Sequence, residues 1–199
     1  MSQRFTTVTN SDLAALIKSG GIGVLPTDTV YGLVACASDQ HAIERLYSVK
    51  QRKSQPGTII AASVNDLVDL GFSQSEIERV AQYWPASLSV VLDATNIPDY
   101  VKHIRTSLAV RIPDDKHLRQ LLAITGPLMT TSANTPKAPT SRTIDEAVAY
   151  FGDEIDFYVD AGDLGERAPS KIIGLENDTV CVYRESAVTI DLSAFLRDE

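Results

Sequence analysis

Residues 24–33 read VLPTDTVYGL, a stretch in which three small polar residues separate two segments that look buried. The apolar run before them stops at Pro26, and apolar residues resume at Val30. Turn or capping residues would explain Thr27-Asp28-Thr29, because Thr and Asp side chains bind nearby backbone groups. A ligand site is the alternative, since ligands of α/β proteins bind where strands end. The stretch by itself leaves both interpretations open.

The composition is typical of a globular protein in aqueous solution. The length of 199 residues favours one domain, with 44% hydrophobic and 22% charged residues. The sequence contains no apolar run of the ~18 residues that a membrane span needs, and the N-terminal MSQRFTTVTN resembles no export signal. Cys36 and Cys181 lack CxxC spacing, which favours reduced cysteines. We therefore expect a cytoplasmic protein without a membrane segment.

The charge balance argues against a protein whose main task is binding nucleic acid. Asp and Glu total 26 against 18 Lys and Arg, which gives a formal net charge of −8. Binding to phosphate backbones needs a surplus of basic residues. A local basic cleft is still compatible with this total, so any convergence of Lys and Arg would be informative.

Periodicity predicts helices and strands that alternate along the first part of the chain, with strands dominating later. Helix starts are expected at Asn10 or Ser11, at Asp39, before Leu118, and at the capping boxes Ser73–Glu76 and Thr143–Glu146, with ends near Lys50 and Gly152. Strands are expected at 21–25, 58–62, 88–92, 107–112, 127–131, 157–159, 170–173 and 180–183, the last two as a hairpin. This order indicates one α/β domain with a mixed, twisted sheet.

Several familiar catalytic and cofactor motifs are missing from the sequence. His41, His103 and His117 do not have metal-ligand spacing, and no Gly-x-Ser-x-Gly elbow occurs. The glycines of residues 20–23 (GGIG) precede a strand, whereas a dinucleotide-binding loop follows one. We expect no protein-bound zinc, flavin or NAD, and no metal site built from side chains.

Polar clusters do occur at the predicted strand ends, where loops can direct donors toward a ligand. They comprise Thr27–Thr29, Lys50–Lys53, Ser107 with Arg111, Thr130–Asn134 leading to Thr140–Arg142, and Ser170 with Arg184. Most have an ordinary structural explanation; Lys50, for example, could complement a helix dipole. Arg111 is harder to explain in that way, because it lies in an apolar strand and a buried arginine needs a carboxylate or phosphate partner. It shares a strand face with Ser107.

Six segments in a fixed order connect these clusters to a known family. They are PTDTVYGL at 26–33, Lys50-Gln51-Arg52, Trp84-Pro85, Arg111-Ile112-Pro113, Ser132-Ala133-Asn134, and Pro169-Ser170 with the later Arg184. Together they resemble the motifs of the YrdC-like threonylcarbamoyl-AMP synthases of the short, single-domain type. The resemblance implies one YrdC-like domain over residues 1–199, with a core of about 6–186. In that fold helices flank a twisted mixed sheet with a large concave cavity.

The resemblance also implies a reaction. L-Threonine, bicarbonate or CO2, and ATP would give threonylcarbamoyl-adenylate and pyrophosphate, the first step of the tRNA threonylcarbamoyladenosine modification. ATP is then a substrate, carried with Mg²⁺, and transient contacts with downstream transfer proteins or tRNA are expected. Such chemistry needs preorganised positive charge around the phosphates rather than a protein nucleophile.

Individual roles follow from the same resemblance, residue by residue. Catalysis is assigned to Lys50 and Arg52. Threonine binding is assigned to Thr29, Thr130, Arg111 and Ser170, with Arg111 pairing the carboxylate. ATP binding is assigned to Lys50, Arg52, Ser107, Ser132, Asn134, Thr140 and Arg184.

The sequence departs from the family pattern in four places. Lys53 replaces a proline, residues 85–89 read PASLS in place of Pro-Gly-Pro-Leu-Thr, residues 135–137 read TPK where Ser-Gly is common, and Ala61 stands where many relatives have histidine. Three alternatives are a double-stranded RNA or tRNA-binding module of the same fold, a relative that makes carbamoyl-adenylate from carbamoyl phosphate, and an inactive nucleotide-binding paralogue.

Overall fold

A mixed ten-stranded sheet organises the computed structural model, which describes residues 1–51, 56–176 and 179–186. The strands within these ranges are β1 (Gln3–Phe5), β2 (Gly23–Pro26), β3 (Tyr31–Cys36), β4 (Thr58–Ile60), β5 (Leu88–Asp93), β6 (Ser107–Arg111), β7 (Leu128–Ser132), β8 (Phe157–Val159), β9 (Lys171–Glu176) and β10 (Thr179–Arg184). The helices are α1 (Ser11–Lys18), α2 (Gln40–Val49), α3 (Val64–Leu70), α4 (Gln74–Val80), α5 (Asp99–Lys102), α6 (Lys116–Thr125) and α7 (Ile144–Phe151).

The strand order is β1-β8-β2-β3-β7-β4-β6-β5-β9-β10. The pairs β1–β8, β2–β8, β4–β6 and β5–β9 are parallel, and the remaining neighbours are antiparallel. The prediction of a mixed sheet is therefore confirmed, as is the closing hairpin of β9 and β10. Strands β2 and β3 are joined by a short turn, whereas pairs such as β3–β7 and β4–β7 join strands far apart in the chain, which is how residues distant in sequence reach the same sheet face.

Two apolar clusters lie on opposite faces of the sheet, because successive strand residues point to opposite sides. Leu33 and Ile59 belong to the cluster under α2 to α4 and α7, whereas their neighbours Val34 and Ile60 pack with α1 and α6. By the same alternation, Thr58 shares its face with Ile60. That second face, covered in part by α1 and α6, is the one that carries the cavity described below.

Most of the predicted element boundaries are confirmed. Asn10 caps α1 by accepting from the backbone N–H groups of residues 12 and 13, and Asp39 caps α2 by accepting from that of residue 42. Helix α2 ends at Val49 with Lys50 as its C-cap, and α7 ends just before Gly152.

One predicted capping box is wrong and another was missed. Ser73 makes no side-chain cap and instead pairs with the Ser75 hydroxyl at 2.9 Å, while Ser63 and Asp66 form a complete box at the start of α3. The box at Thr143 is half formed, because the Glu146 carboxylate accepts from the backbone of residue 142 instead. The sequence prediction also omitted β1, β3, α3 and α5. Strand β3 is buried at all six positions, so it lacks the alternation that signals a half-exposed strand.

The cap at Asp39 gives a first test. Asp39 begins helix α2, and Lys50 is the C-cap of the same helix. We expect Asp39→Ala to lower the free energy of unfolding by about 1 kcal/mol, since the Ala42 N–H loses its acceptor. Asp39→Ser keeps a capping oxygen and should lower the free energy of unfolding by only a few tenths of a kcal/mol. Urea titration of both variants measures the difference; equal stability of the two would contradict the capping role.

Candidate functional site

A cavity of about 490 Å³ lies on the sheet face that also carries α1 and α6. Residues from at least six strands and three connecting segments meet around it. The polar lining consists of Thr27, Thr29, Thr58, Arg105, Ser107, Arg111, Thr130, Thr131, Ser132, Ser170, Tyr183 and Arg184. The rest of the wall is Val30, Gly32, Pro56, Gly57, Val91, Ala109, Pro169 and Ile172. Its size suits a ligand of nucleotide dimensions.

The cavity is basic although the whole chain is acidic. Arg105, Arg111 and Arg184 line it, and no Asp or Glu is among the described lining residues. The chain as a whole has a formal net charge of −8. Charge of one sign between low-dielectric walls concentrates the field, so this cavity favours anionic ligands.

The Thr27-Asp28-Thr29 segment forms the turn between β2 and β3. The Thr27 hydroxyl donates to the Val30 carbonyl oxygen at 2.6 Å and accepts from the Thr29 backbone N–H at 3.2 Å. Thr27 and Thr29 are buried and line the cavity, while Tyr31 has no exposed surface. Thr27 builds the turn and Thr29 faces the cavity, so the turn interpretation is confirmed, while the ligand-site interpretation stays a prediction.

Gly32 is required for close approach on the same face. A Cβ atom there would lie 2.5 Å from the Thr130 hydroxyl oxygen on the neighbouring strand β7. Glycine thus lets β3 and β7 pair while Thr130 keeps its place in the cavity wall.

Arg111 forms a buried ion pair with Asp28. The Arg111 Nη2 atom lies 2.9 Å from Asp28 Oδ1, and the two side chains are 4% and 1% exposed. The Ser87 hydroxyl donates to the other Asp28 oxygen at 3.0 Å. Burial lowers the pKa of the Arg111 guanidinium, and the Asp28 charge acts in the opposite direction. Its Nε atom is buried and has no hydrogen-bond partner within the described part of the chain.

Ser170 and Arg184 are joined directly. Arg184 donates from Nε to the Ser170 carbonyl oxygen at 2.8 Å and from Nη2 to the Ser170 hydroxyl at 2.9 Å. The Ser170 hydroxyl also lies 2.9 Å from that of Ser89, which is completely buried on β5. Ser170, which is predicted to bind threonine, and Arg184, which is predicted to bind ATP, are thus joined by direct hydrogen bonds.

Lys50 lies beside the cavity rather than in its wall. Its side chain is 2% exposed, and Nζ contacts the backbone oxygens of Ser132 and Asn134 and the Asn134 side-chain oxygen. The Ser132 hydroxyl donates to that same Asn134 oxygen at 2.8 Å. Lys50 therefore ties the end of α2 to the end of β7.

The predicted site residues separate into four groups. The cavity brings together Thr29, Ser107, Arg111, Thr130, Ser132, Ser170 and Arg184. Lys50 and Asn134 contact Ser132 without lining it, and Thr140 lines a neighbouring cavity of about 220 Å³ that shares Val30. Arg52 lies outside the described residues, as does the Lys53 departure.

Sequence reasoning assigned no role in the site to Asp28, Arg105 or Tyr183, and noted Ser87 and Ser89 only as part of the departure at residues 85–89. Ser89 had a visible signal, because it is a polar residue inside the apolar strand LSVVL. Asp28 could not be distinguished from its threonine neighbours by type alone. Arg105 and Tyr183 lie at the ends of predicted elements and carry no local signature.

Two further sequence expectations concern metals and membranes. Over residues 1–51, 56–176 and 179–186, no group of three or more His, Cys, Asp or Glu side chains could hold a metal ion. Within the same ranges, the helices are too short or too polar to cross a bilayer.

Comparison with known proteins places the chain in a family. The family model Sua5_yciO_yrdC, described as "Telomere recombination", matches residues 15–186. A "Threonylcarbamoyl-AMP synthase" of Pseudomonas paraeruginosa is 32% identical over 168 residues, 80% of this chain and 88% of that protein. E. coli YciO superposes with a TM-score of 0.81 at 22% identity, over 98% of this chain and 100% of that one. P. abyssi Sua5, solved "complexed with L-threonine", gives 0.79 at 24% identity over 92% of this chain and 57% of that longer one.

The buried ion pair gives the second test. We expect Asp28→Ala to lower the free energy of unfolding by about 3–5 kcal/mol, because it leaves the Arg111 charge buried without a counter-ion. The control is Asp114→Ala, whose exposed carboxylate lies 3.8 Å from Arg119 and should matter by less than about 1 kcal/mol. The double variant Asp28→Ala/Arg111→Met should recover part of the loss. Denaturant titration that found equal costs at Asp28 and Asp114 would contradict this account.

Proposed function

This chain belongs to the Sua5/YciO/YrdC family, and on that premise we propose that it is a threonylcarbamoyl-AMP synthase. It would convert L-threonine, bicarbonate or CO2, and ATP to threonylcarbamoyl-adenylate and pyrophosphate. The observation that carries the proposal is the cavity itself: seven residues assigned to substrate binding from the family resemblance line it, together with a third arginine.

The proposed reaction requires the protein to bring anions together. N-carboxylated threonine carries two carboxylates and must approach the α-phosphate of ATP, whose leaving pyrophosphate is more highly charged still. Fixed positive charge and backbone donors can stabilise this arrangement without a covalent intermediate. The three arginines of the cavity and its hydroxyl-rich wall supply these groups.

At one end of the cavity, threonine would bind among Thr29, Arg111, Thr130 and Ser170. Asp28 holds one edge of the Arg111 guanidinium, and the part of the guanidinium that lines the cavity could donate to the substrate carboxylate. Because P. abyssi Sua5 has the same fold and was solved complexed with L-threonine, it supports a threonine subsite in this cavity.

ATP would occupy the rest of the cavity, with Ser107, Ser132 and Arg184 in the wall. Lys50 and Asn134 contact Ser132 without lining the cavity. They would therefore act on the phosphates indirectly, through the position of the end of β7. Arg52 and Thr140 complete the proposed phosphate contacts on the strength of the motif match.

Mg²⁺ fits this site only as part of the nucleotide. Mg²⁺ prefers carboxylate and phosphate oxygens, and the described cavity wall offers hydroxyls and arginines but no carboxylate. The ion would therefore be held by the ATP phosphates, where it neutralises charge on the leaving pyrophosphate.

The proposed product is a reactive mixed anhydride, so a downstream transfer reaction must consume it. Transfer of the threonylcarbamoyl group to tRNA by other proteins, in the cytoplasm, fits that requirement. Contact with those proteins or with tRNA would be transient, since the acidic chain offers little general affinity for nucleic acid.

The decisive experiment measures pyrophosphate release with each substrate left out in turn. We expect release only when L-threonine, bicarbonate and ATP are all present, and we expect Lys50→Ala and Arg52→Ala to abolish it. Lys18→Ala, which removes an exposed lysine at the end of α1, is the charge-matched control and should keep the wild-type rate.

Other outcomes of the same assay identify the alternatives. Release that depends on carbamoyl phosphate instead of threonine and bicarbonate would indicate the carbamoyl-adenylate reaction. No release with any substrate, combined with salt-dependent retention of duplex RNA on filters, would indicate an RNA-binding module. Near-wild-type rates in the Lys50 or Arg52 variants would overturn the proposed roles of these residues.

A conservative change at Arg111 tests the threonine end separately. Arg111→Lys keeps a charge for Asp28 but loses the planar fork that binds a carboxylate. We expect the KM for threonine to rise about tenfold or more, a loss of at least ~1.4 kcal/mol, with the KM for ATP nearly unchanged. Steady-state kinetics with each substrate varied in turn measures both; equal changes would move Arg111 out of the threonine subsite.

A further inference from the structure

The two hydroxyls of the proposed threonine subsite, Thr29 and Ser170, each have a buried hydroxyl neighbour. Thr27 lies 3.0 Å from Thr29, and Ser89 lies 2.9 Å from Ser170, measured between hydroxyl oxygens. All four residues are at most 5% exposed. In such places the direction of each hydrogen bond is decided by what else each oxygen must satisfy.

The direction at Thr29 follows from its neighbour. The Thr27 hydroxyl has one hydrogen, and it goes to the Val30 carbonyl oxygen, which can only accept. In the 3.0 Å contact with Thr29, the hydrogen must therefore come from Thr29. The Thr29 oxygen is left with lone pairs and no free hydrogen, so it presents an acceptor to the cavity.

The direction at Ser170 is the opposite. Arg184 occupies one lone pair of the Ser170 hydroxyl, because arginine can only donate. Within the described residues, the fully buried Ser89 hydroxyl has Ser170 as its hydrogen-bond partner and no other. An unsatisfied buried donor is costly, so Ser89 donates and fills the second lone pair. The hydrogen of Ser170 is then directed to the cavity that Ser170 lines.

From these contacts we infer that Thr27 and Ser89 are positioning residues that fix opposite hydrogen-bond polarity in the substrate-facing hydroxyls of Thr29 and Ser170. The inference rests on the proposed function and deepens it by orienting the substrate. The amino group, which donates, would lie at Thr29, and an oxygen of the amino acid would lie at Ser170. Arg111, a donor only, would take a carboxylate oxygen. The nitrogen that must be carboxylated is thus turned away from the donors at Ser170 and Arg111.

Four variants test the inference against a merely structural role. Thr27→Val and Ser89→Ala remove the polarity-setting hydroxyls, and each should raise the KM for threonine by about threefold to tenfold, the worth of one oriented hydrogen bond. The KM for ATP and kcat at saturating threonine should change by less than twofold, on the order of 0.4 kcal/mol. Thr27→Ser and Ser89→Thr keep the hydroxyl and should restore values near wild type.

A substrate analogue tests the polarity itself. The analogue of L-threonine with a methoxy group in place of the α-amino group offers no donor at the α position, so it should inhibit the wild type weakly. In Thr27→Val the Thr29 hydrogen is free to turn into the cavity, and inhibition should improve relative to the KM for threonine. In Ser89→Ala that ratio should stay at the wild-type value, which makes each variant the control for the other.

The outcomes separate the two hypotheses. A wild type that shows threonine-dependent pyrophosphate release, with both variants unchanged in the KM for threonine, would overturn the polarity inference and leave the proposed function standing. Equal rises in both KM values, or no rescue by Ser89→Thr and Thr27→Ser, would also overturn it. A wild type without threonine-dependent release would overturn the proposed function, and the inference with it.

Discussion

The buried contact between Asp28 and Arg111 ties three separate parts of the chain to one point. Asp28 comes from the β2–β3 turn, Arg111 ends β6, and Ser87, which donates to Asp28, precedes β5. Desolvating two charges is expensive, so an ion pair of this kind is weak as a source of stability and strong as a constraint on geometry. Because Thr29 follows Asp28 directly, fixing the carboxylate also fixes the hydroxyl that faces the cavity. The polar turn between two buried strands is therefore a structural joint that also positions part of the cavity wall.

The electrostatic contrast between cavity and chain explains how an acidic protein could handle anionic substrates. Three arginines line the cavity, whereas the total formal charge is −8. Walls of low dielectric constant strengthen the local field, while the acidic remainder weakens association with long polyanions. A small anion such as a nucleotide or an amino acid carboxylate can enter the cavity, whereas a nucleic acid backbone would meet mostly acidic surface.

The proposed subsites for threonine and ATP are mechanically connected. Arg184 holds both the backbone and the side chain of Ser170, and Lys50 holds the backbone oxygens at the end of β7. A ligand that moves Arg184, which is assigned to the ATP subsite, would therefore disturb the hydrogen bonds of Ser170, which is assigned to the threonine subsite. Buried hydroxyl and ion-pair networks of this type orient the groups that contact a substrate, and they work as a unit because few alternative partners exist.

The sequence by itself determined the mixed sheet, the family and many of the helices and strands, because these depend on periodicity, capping residues and short motifs that are local. It did not determine β1, β3, α3 or α5. Some local signals were misinterpreted. A capping box was predicted at Ser73 and Glu76, where none forms, whereas Ser63 and Asp66 form one at the start of α3. The tertiary structure alone decided that Asp28, and not a threonine beside it, pairs with Arg111, and that Ser89 reaches Ser170. It also placed Lys50 behind the cavity wall rather than in it. These facts depend on which strands pair and in which register, and no local pattern encodes that choice.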